Sequence, residues 1–343
     1  MATYYWVGGS GTWDGTSTAR WSTTSGGAGG AGVPTSADDA RFDALGGTGT
    51  VTIASGATCR ILTWISTTLT MGGSADFTIY RTFDIEPGVT ITYSGTMTVS
   101  YGFATIFIAG TPIPFNVNFV STGSGNWSPS YYNPVFSGTV TLTSGTLDLA
   151  GFNMQVDIFS SSNSNTRNIT FGGGSLSVVS LFDVSTSTNF TTDLTGYIYM
   201  GSGSASPKTF AGGGASYPTL QNVGIGTFTI SGSNTFVNII DNVIVAPRTI
   251  KFTSGTTQTI TSNFNVSGSN PIVIVTIGAT TPGSTAYLSK SSGTVNVAYC
   301  NISDSVATGG ASWKALKSSG NINSGNNIGW VFTTVAGKFF QLF

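Results

Sequence analysis

The stretch that decides the fold runs from Thr235 to Phe332. It opens TFVNIIDNVIVAPRTIKFTSGTTQTITSNFNVSG and closes VNVAYCNISDSVATGGASWKALKSSGNINSGNNIGWVF. Short β-prone runs recur in it at Phe236–Ile239, Thr249–Phe252, Gln258–Ile260, Phe264–Val266, Ile272–Ile277 and Val295–Tyr299. Gly, Ser, Asn or Pro separates each run from the next. The spacing is that of one strand per turn of a coil, a unit that buries its apolar side only against copies stacked above and below. The pattern predicts an all-β chain, a single-stranded parallel β-helix (β-solenoid) with capped ends.

Working outward, the same rhythm recurs upstream. In Thr50-Val51-Thr52-Ile53 apolar and Thr residues alternate, as on a half-buried strand. Val89-Thr90-Ile91-Thr92 and Met97-Thr98-Val99 repeat the device, with corners at Gly56, Gly72-Gly73, Pro87-Gly88, Gly95 and Gly102. The gaps are too short for crossover helices. From Val140 onward, equivalent runs recur at about 20 to 25 residues, the range of solenoid turns. About ten coils over residues 48–305 would make a rod about 50 Å long.

Composition agrees. Charged residues are 7% of the 343, and Glu86 is the sole Glu. There is no His, while Gly numbers 47. Disorder is excluded because hydrophobic residues make up 39% and aromatics 12%, enough for a core. Helix formers are scarce, and the best short helix is Ser312–Lys317. Net charge is −1, and the longest basic cluster is Lys314 with Lys317, so no nucleic acid is expected as a partner. No apolar run reaches about 18 residues, so no membrane-spanning helix is expected. The start MATYYWVGG lacks the basic and apolar regions of a Sec signal. Synthesis in the cytoplasm without export by that route is expected. Cys59 and Cys300 read as unpaired buried small hydrophobes.

The ends read as caps. Residues 1–47 hold Trp6, Trp13 and Trp21 among Gly8, Gly9, Gly11 and Gly15. A solenoid end exposes a raw strand edge and an open core. Tryptophans can plug that mouth while their N–H groups reach carbonyls. The alternative is a docking element for a larger particle. Asp14, Asp38, Asp39 and Asp43 lack a calcium-loop pattern, so no metal is expected, and Gly26–Gly32 lacks the Lys of a P-loop. Residues 306–343 form the C-terminal cap, with an apolar tail in which Phe339, Phe340, Leu342 and Phe343 are candidates for a subunit contact.

Between about 112 and 136, Pro112, Pro114, Pro129 and Pro134 interrupt the rhythm, which predicts an excursion from the solenoid body. Trp127, Tyr131 and Tyr132 lie there as candidates for stacking on a glycan. The alternative is that they pack back onto the coil.

Chemistry is sparse. Two carboxylate pairs stand out, Asp84 with Glu86 and Asp148 with Asp157. In a strand, residues two apart share one face, so Asp84 and Glu86 can converge. The Pro87-Gly88 that follows also makes them an ordinary polar corner. With no His, triad catalysis lacks its usual base. No cofactor and no enzymatic activity are expected.

The series TIKFTSGTTQTIT, YLSKSSGTVNVAYCNISDS, ATGGASW and NNIGWVF resembles a repeat-rich protein type of tailed-phage genomes and of some secreted bacterial β-repeat proteins. The opening YYWVGGSGTWDG…ARW with VPTSADDARFD resembles the start of the same type. The resemblance covers about a third of the chain and supplies no catalytic residues. It implies a phage virion structural protein, of the tail fibre, spike, head fibre or decoration kind, on the virion surface. Other virion proteins and a host-surface glycan would be its partners. Self-association is also expected, because low charge leaves strand edges unguarded, and the resemblance to phage fibres and spikes favours a trimer. A secreted bacterial adhesin and a polysaccharide-degrading tailspike are the alternatives.

Overall fold

The structure is a computed structural model that describes residues 1–333 apart from 66, 101, 109, 111, 122–124 and 204. It is 51% strand and 3% helical, and its stacked parallel sheets form a β-solenoid of about 13 turns, where the spacing suggested about ten. The described helical residues are three short 3-10 turns.

The chain divides into two compact units, Met1–Val178 with Thr186–Gly196, and Val179–Ser185 with Tyr197 onward. In the first unit a 10-stranded sheet runs through Thr3–Trp6, Asp39–Phe42, Leu62–Trp64, Phe83–Ile85, Phe103–Ile108, Asn126–Pro129, Gly145–Asp148, Arg167–Thr170 and Phe190–Thr192. All of these pair in parallel, and Trp21–Ser22 closes the outer edge antiparallel to Thr3–Trp6. A two-residue antiparallel strand is a short edge that offers little template to another chain. Thr58–Cys59, Phe77–Ile79, Thr96–Ser100, Asn116–Val120, Val135–Leu142 and Asn153–Ser160 form a second parallel stack.

Strand period two sets what points inward. On Phe83–Ile85, Phe83 and Ile85 are buried and Asp84 is not. Register then lines up equivalent positions, so Arg41, Thr63, Asp84 and Phe107 occupy one outward column over successive turns. Phe42 and Trp64 lie in the inward column, with rings stacked at 3.9 Å.

In the second unit, one parallel stack comprises Lys208–Ala211, Thr227–Ser231, Arg248–Phe252, Val275–Ala279, Cys300–Ile302 and Ile322–Asn323. Another runs through Tyr197–Met200, Ser216–Asn222, Thr235–Asp241 and Thr257–Val266. Both cysteines are free and buried.

The end segments contribute rungs of their own: Thr3–Trp6 and Asp39–Phe42 pair in parallel with the stack, and so do Ser305–Thr308 and Ser312–Lys314. Two expectations are corrected. Ser312–Lys317 is not a helix. Ser312–Lys314 is a strand that buries Trp313, and only Lys317–Ser319 turns as a 3-10 helix. Packing of one large ring into the core outweighs the weak helical preference of so short a segment. The segment 112–136 is not an excursion either, since Asn116–Val120 and Asn126–Pro129 pair in register with the turns on both sides. Pro129 is tolerated because it ends its strand, and Ser130 N–H donates to Ile106 O at 3.2 Å.

Candidate functional site

The outward column of the first unit carries a pocket of about 300 Å³ lined by Asp84, Glu86, Pro87, Phe107, Tyr131 and Tyr132. Asp84 points out of its strand because Phe83 and Ile85 take the core positions. Glu86 lies two residues on, where its N–H donates to Trp64 O at 3.0 Å, and Pro87-Gly88 then turns the chain. Phe107 sits one rung along from Asp84. Tyr131 adopts a left-handed backbone, with φ of 70°. Its ring stacks on Phe107 at 5.9 Å between centroids with planes 22° apart. Tyr131 is 79% and Tyr132 52% exposed. Two wet aromatic rings and two carboxylates thus face one concavity on a stack of strands.

Burial, and then the neighbouring Glu86, push the Asp84 carboxyl above its ordinary range, and Arg41 partly opposes them. A carboxyl raised in this way holds a proton more readily than an exposed aspartate. Carboxyl oxygens are able to accept hydrogen bonds from hydroxyls, and aromatic ring faces to receive apolar C–H surface.

Of the residues expected to contact a glycan, Tyr131 and Tyr132 meet in this pocket and Trp127 does not. Trp127 is fully buried, in register with Ala104 and Leu147 and 5.2 Å from the Phe119 ring. Alternation explains the correction: Trp127 takes an inward position of its strand. Gly145, at φ of 93°, leaves its ring room, because a Cβ there would come within 2.7 Å of it.

Trp6, Trp13 and Trp21 are likewise fully buried, so their rings pack inward. Trp6 Nε1 donates to Gly9 O at 2.7 Å. Trp13 Nε1 and Trp21 Nε1 find no partner among the described residues, so of the three N–H groups only that of Trp6 reaches a carbonyl there. Phe339, Phe340, Leu342 and Phe343 lie outside the described residues.

The other carboxylates are engaged locally. Asp14 accepts from the N–H groups of Thr16 and Ser17, Asp43 from that of Leu45, and Asp39 pairs with Arg60 at 2.7 Å. Among the described residues no three potential ligands gather for a metal ion. Asp148 and Asp157 lie on strands of different sheets. A larger concavity of about 860 Å³, lined by Ile322, Trp330 and Phe332, has Lys317 as its one charged lining residue among the described residues.

Phe107 was missed from the sequence, although a signal for it exists. In Phe103–Ile108 the residues Ala104, Ile106 and Ile108 form the inward set, which leaves Phe107 facing out.

Comparison with known protein families, curated proteins and solved structures finds no match to this chain.

Proposed function

We propose that the protein is a non-enzymatic structural component of the outside of a phage virion and that its lateral pocket contacts a host-surface glycan. The observation that carries the glycan contact is the meeting of Tyr131, Tyr132 and Phe107 with Asp84 and Glu86 in one concavity. Aromatic faces receive the apolar face of a sugar ring, and carboxylates select its hydroxyls. A stack of parallel strands holds these groups with little freedom, which lowers the cost of ordering them on binding. The virion assignment draws its support from the sequence resemblance and from a solenoid with a polar, sparsely charged exterior. Homotrimeric assembly would multiply a modest affinity per site.

The test is binding of purified host-envelope polysaccharide to the wild-type protein and to Tyr131→Ala and Tyr132→Ala. Each variant should weaken binding by about tenfold, as expected for loss of roughly 1.4 kcal/mol. Equal binding by all three proteins, or none by any, overturns the reading. Immunogold labelling or cryo-EM of purified particles tests the virion location, and light scattering tests the trimer.

A polysaccharide-degrading spike is the second reading. The raised Asp84 beside Glu86 favours it, because a glycosidase needs one protonated and one ionised carboxyl. Release of reducing ends from the same polysaccharide, abolished in Asp84→Asn, would establish it in place of pure binding.

A further inference from the structure

The second unit buries a polar cluster that the lateral pocket does not use. Asp241 ends the strand Thr235–Asp241 and is fully buried. Its Oδ1 accepts from Arg248 Nε, and its Oδ2 accepts from Asn222 Nδ2 at 2.7 Å. Arg248 is held in turn by Ser267 O at 2.9 Å. Asn222 ends the strand of the preceding turn, and its Oδ1 accepts from the Gly224 N–H at 3.3 Å. Lys208 begins the strand Lys208–Ala211, is 2% exposed, and its Nζ has no hydrogen-bond partner among the described residues. A Cβ on Gly201 would meet Lys208 Cδ at 2.8 Å, Lys208 Cε at 3.0 Å and Gly224 Cα at 3.2 Å. The lysine stem and the glycine whose N–H holds the Asn222 carbonyl therefore both border the space beside Gly201.

A buried ammonium without a partner is costly, and the low-energy form of such a group is the neutral amine. Burial pushes the Lys208 amine below its ordinary range, against the pull of Asp241 and with the help of Arg248. The cluster then holds four parts of an acyl transfer: an amine lone pair on Lys208, a carboxamide on Asn222, an N–H on its oxygen, and a carboxylate on its nitrogen. Those are the roles of nucleophile, electrophile, oxyanion donor and proton carrier.

We propose that Lys208 and Asn222 are joined by an intramolecular isopeptide bond that forms in the folded chain. The Lys208 Nζ lone pair adds to Asn222 Cγ, and the carbonyl electrons move to Oδ1, which the Gly224 N–H stabilises. Asp241 takes a proton from the former lysine nitrogen and delivers it to Nδ2. The Cγ–Nδ2 bond breaks as the carbonyl re-forms, and ammonia leaves. One amide replaces another, so no oxidant, reductant or second substrate is required, and Asp241 ends in its starting state. Arg248 positions the carboxylate and partly offsets the rise that burial imposes on it. The product links two successive turns of the solenoid and removes the buried amine.

Intact mass spectrometry of the full chain tests this. The wild-type protein should be lighter than its sequence mass by one ammonia. Trypsin should fail to cut after Lys208 and should release a branched peptide joining Lys208 to Asn222. Lys208→Arg and Asp241→Asn, made in parallel, should both show the full sequence mass. A wild-type chain of full mass, whose Lys208 is freely acylated by an amine reagent after denaturation, overturns the proposal whatever the variants do. A lost ammonia mapped to other residues overturns it too. A branched peptide retained in Asp241→Asn removes Asp241 from the chemistry.

Discussion

Around Trp6 the interior of the first unit is filled with rings, whereas around Asp241 the interior of the second unit carries charge. Trp6 meets Trp21 edge to face at 5.1 Å, Trp13 meets Trp21 at 5.6 Å, and Phe42 stacks on Trp64. Lys208, Asn222, Asp241 and Arg248 are all buried in the second unit. Both sets occupy inward positions of the same kind of coil. They differ in what happens when one member is removed. A ring that is cut back leaves neighbours that lose contact but keep no obligation to water. A charge that is removed strands its partner in a medium that cannot solvate it. The aromatic interior should therefore degrade gradually, and the charged interior should fail at particular residues.

The largest expected effect follows from that. Arg248→Met strips the buried Asp241 carboxylate of its charged partner, and should destabilise the second unit by about 3–5 kcal/mol. Replacing both members, Asp241→Leu with Arg248→Met, should recover most of this loss, since buried ion pairs exchange for apolar residues at little net cost. Urea denaturation followed by far-UV circular dichroism measures both. If the double variant is as unstable as the single one, the arrangement matters for more than charge balance, and the contrast between the two interiors needs another cause.

A smaller effect distinguishes the tryptophans of the first unit. Trp6→Phe deletes the donor to Gly9 O and leaves that buried carbonyl unpaired, whereas Trp21→Phe removes a donor that has no partner among the described residues. Both lose similar ring area, so the difference between them reports the hydrogen bond. Trp6→Phe should cost about 1–3 kcal/mol more than Trp21→Phe. Equal losses in thermal or urea unfolding would mean that ring packing alone sets both.

Much of this architecture was legible from local pattern. Alternation in Thr50–Ile53 and Met97–Val99 placed strands, and the absence of helix-length gaps left stacking as the way to bury them. The inward packing of Trp6, Trp13 and Trp21 was legible because large rings set among glycines seek a core. Register was not legible, and the candidate site depends on it. Asp84 and Glu86 are neighbours in sequence, but Phe107 joins them only because each turn of the coil returns to the same column, and Tyr131 only because its ring stacks on Phe107. Proline in 112–136 misled for a related reason. It breaks ladders inside a strand, yet Pro129 sits where its strand ends. The cluster at Lys208 was hidden because isolated Lys, Asn, Asp and Arg residues read as surface until inward positions are known.

The smallest expected effect concerns Asp84, the surface counterpart of Asp241. Burial is the leading cause that raises both carboxyls, but Asp241 has Arg248 beside it, while Asp84 has Glu86 as its second cause. The folded-state pKa of Asp84 therefore lies above its unfolded value of about 3.9. The folded chain then binds the proton more tightly than the unfolded chain does. The stabilisation from a protonated Asp84 is complete below the unfolded pKa and is lost as pH rises through the folded value. At neutral pH the carboxylate is a net cost, reduced because the group is half exposed and partly screened. Asp84→Asn should accordingly match or exceed the wild type at pH 7, by no more than a few tenths of a kcal/mol, as for a surface substitution. That advantage should vanish as pH falls below about 4, where wild-type Asp84 is itself neutral. Paired thermal melts across this range measure the difference. A loss above about 1 kcal/mol in Asp84→Asn at pH 7 would show that the carboxylate holds the coil together. The pocket would then lose its standing as a site whose charge is kept for a ligand.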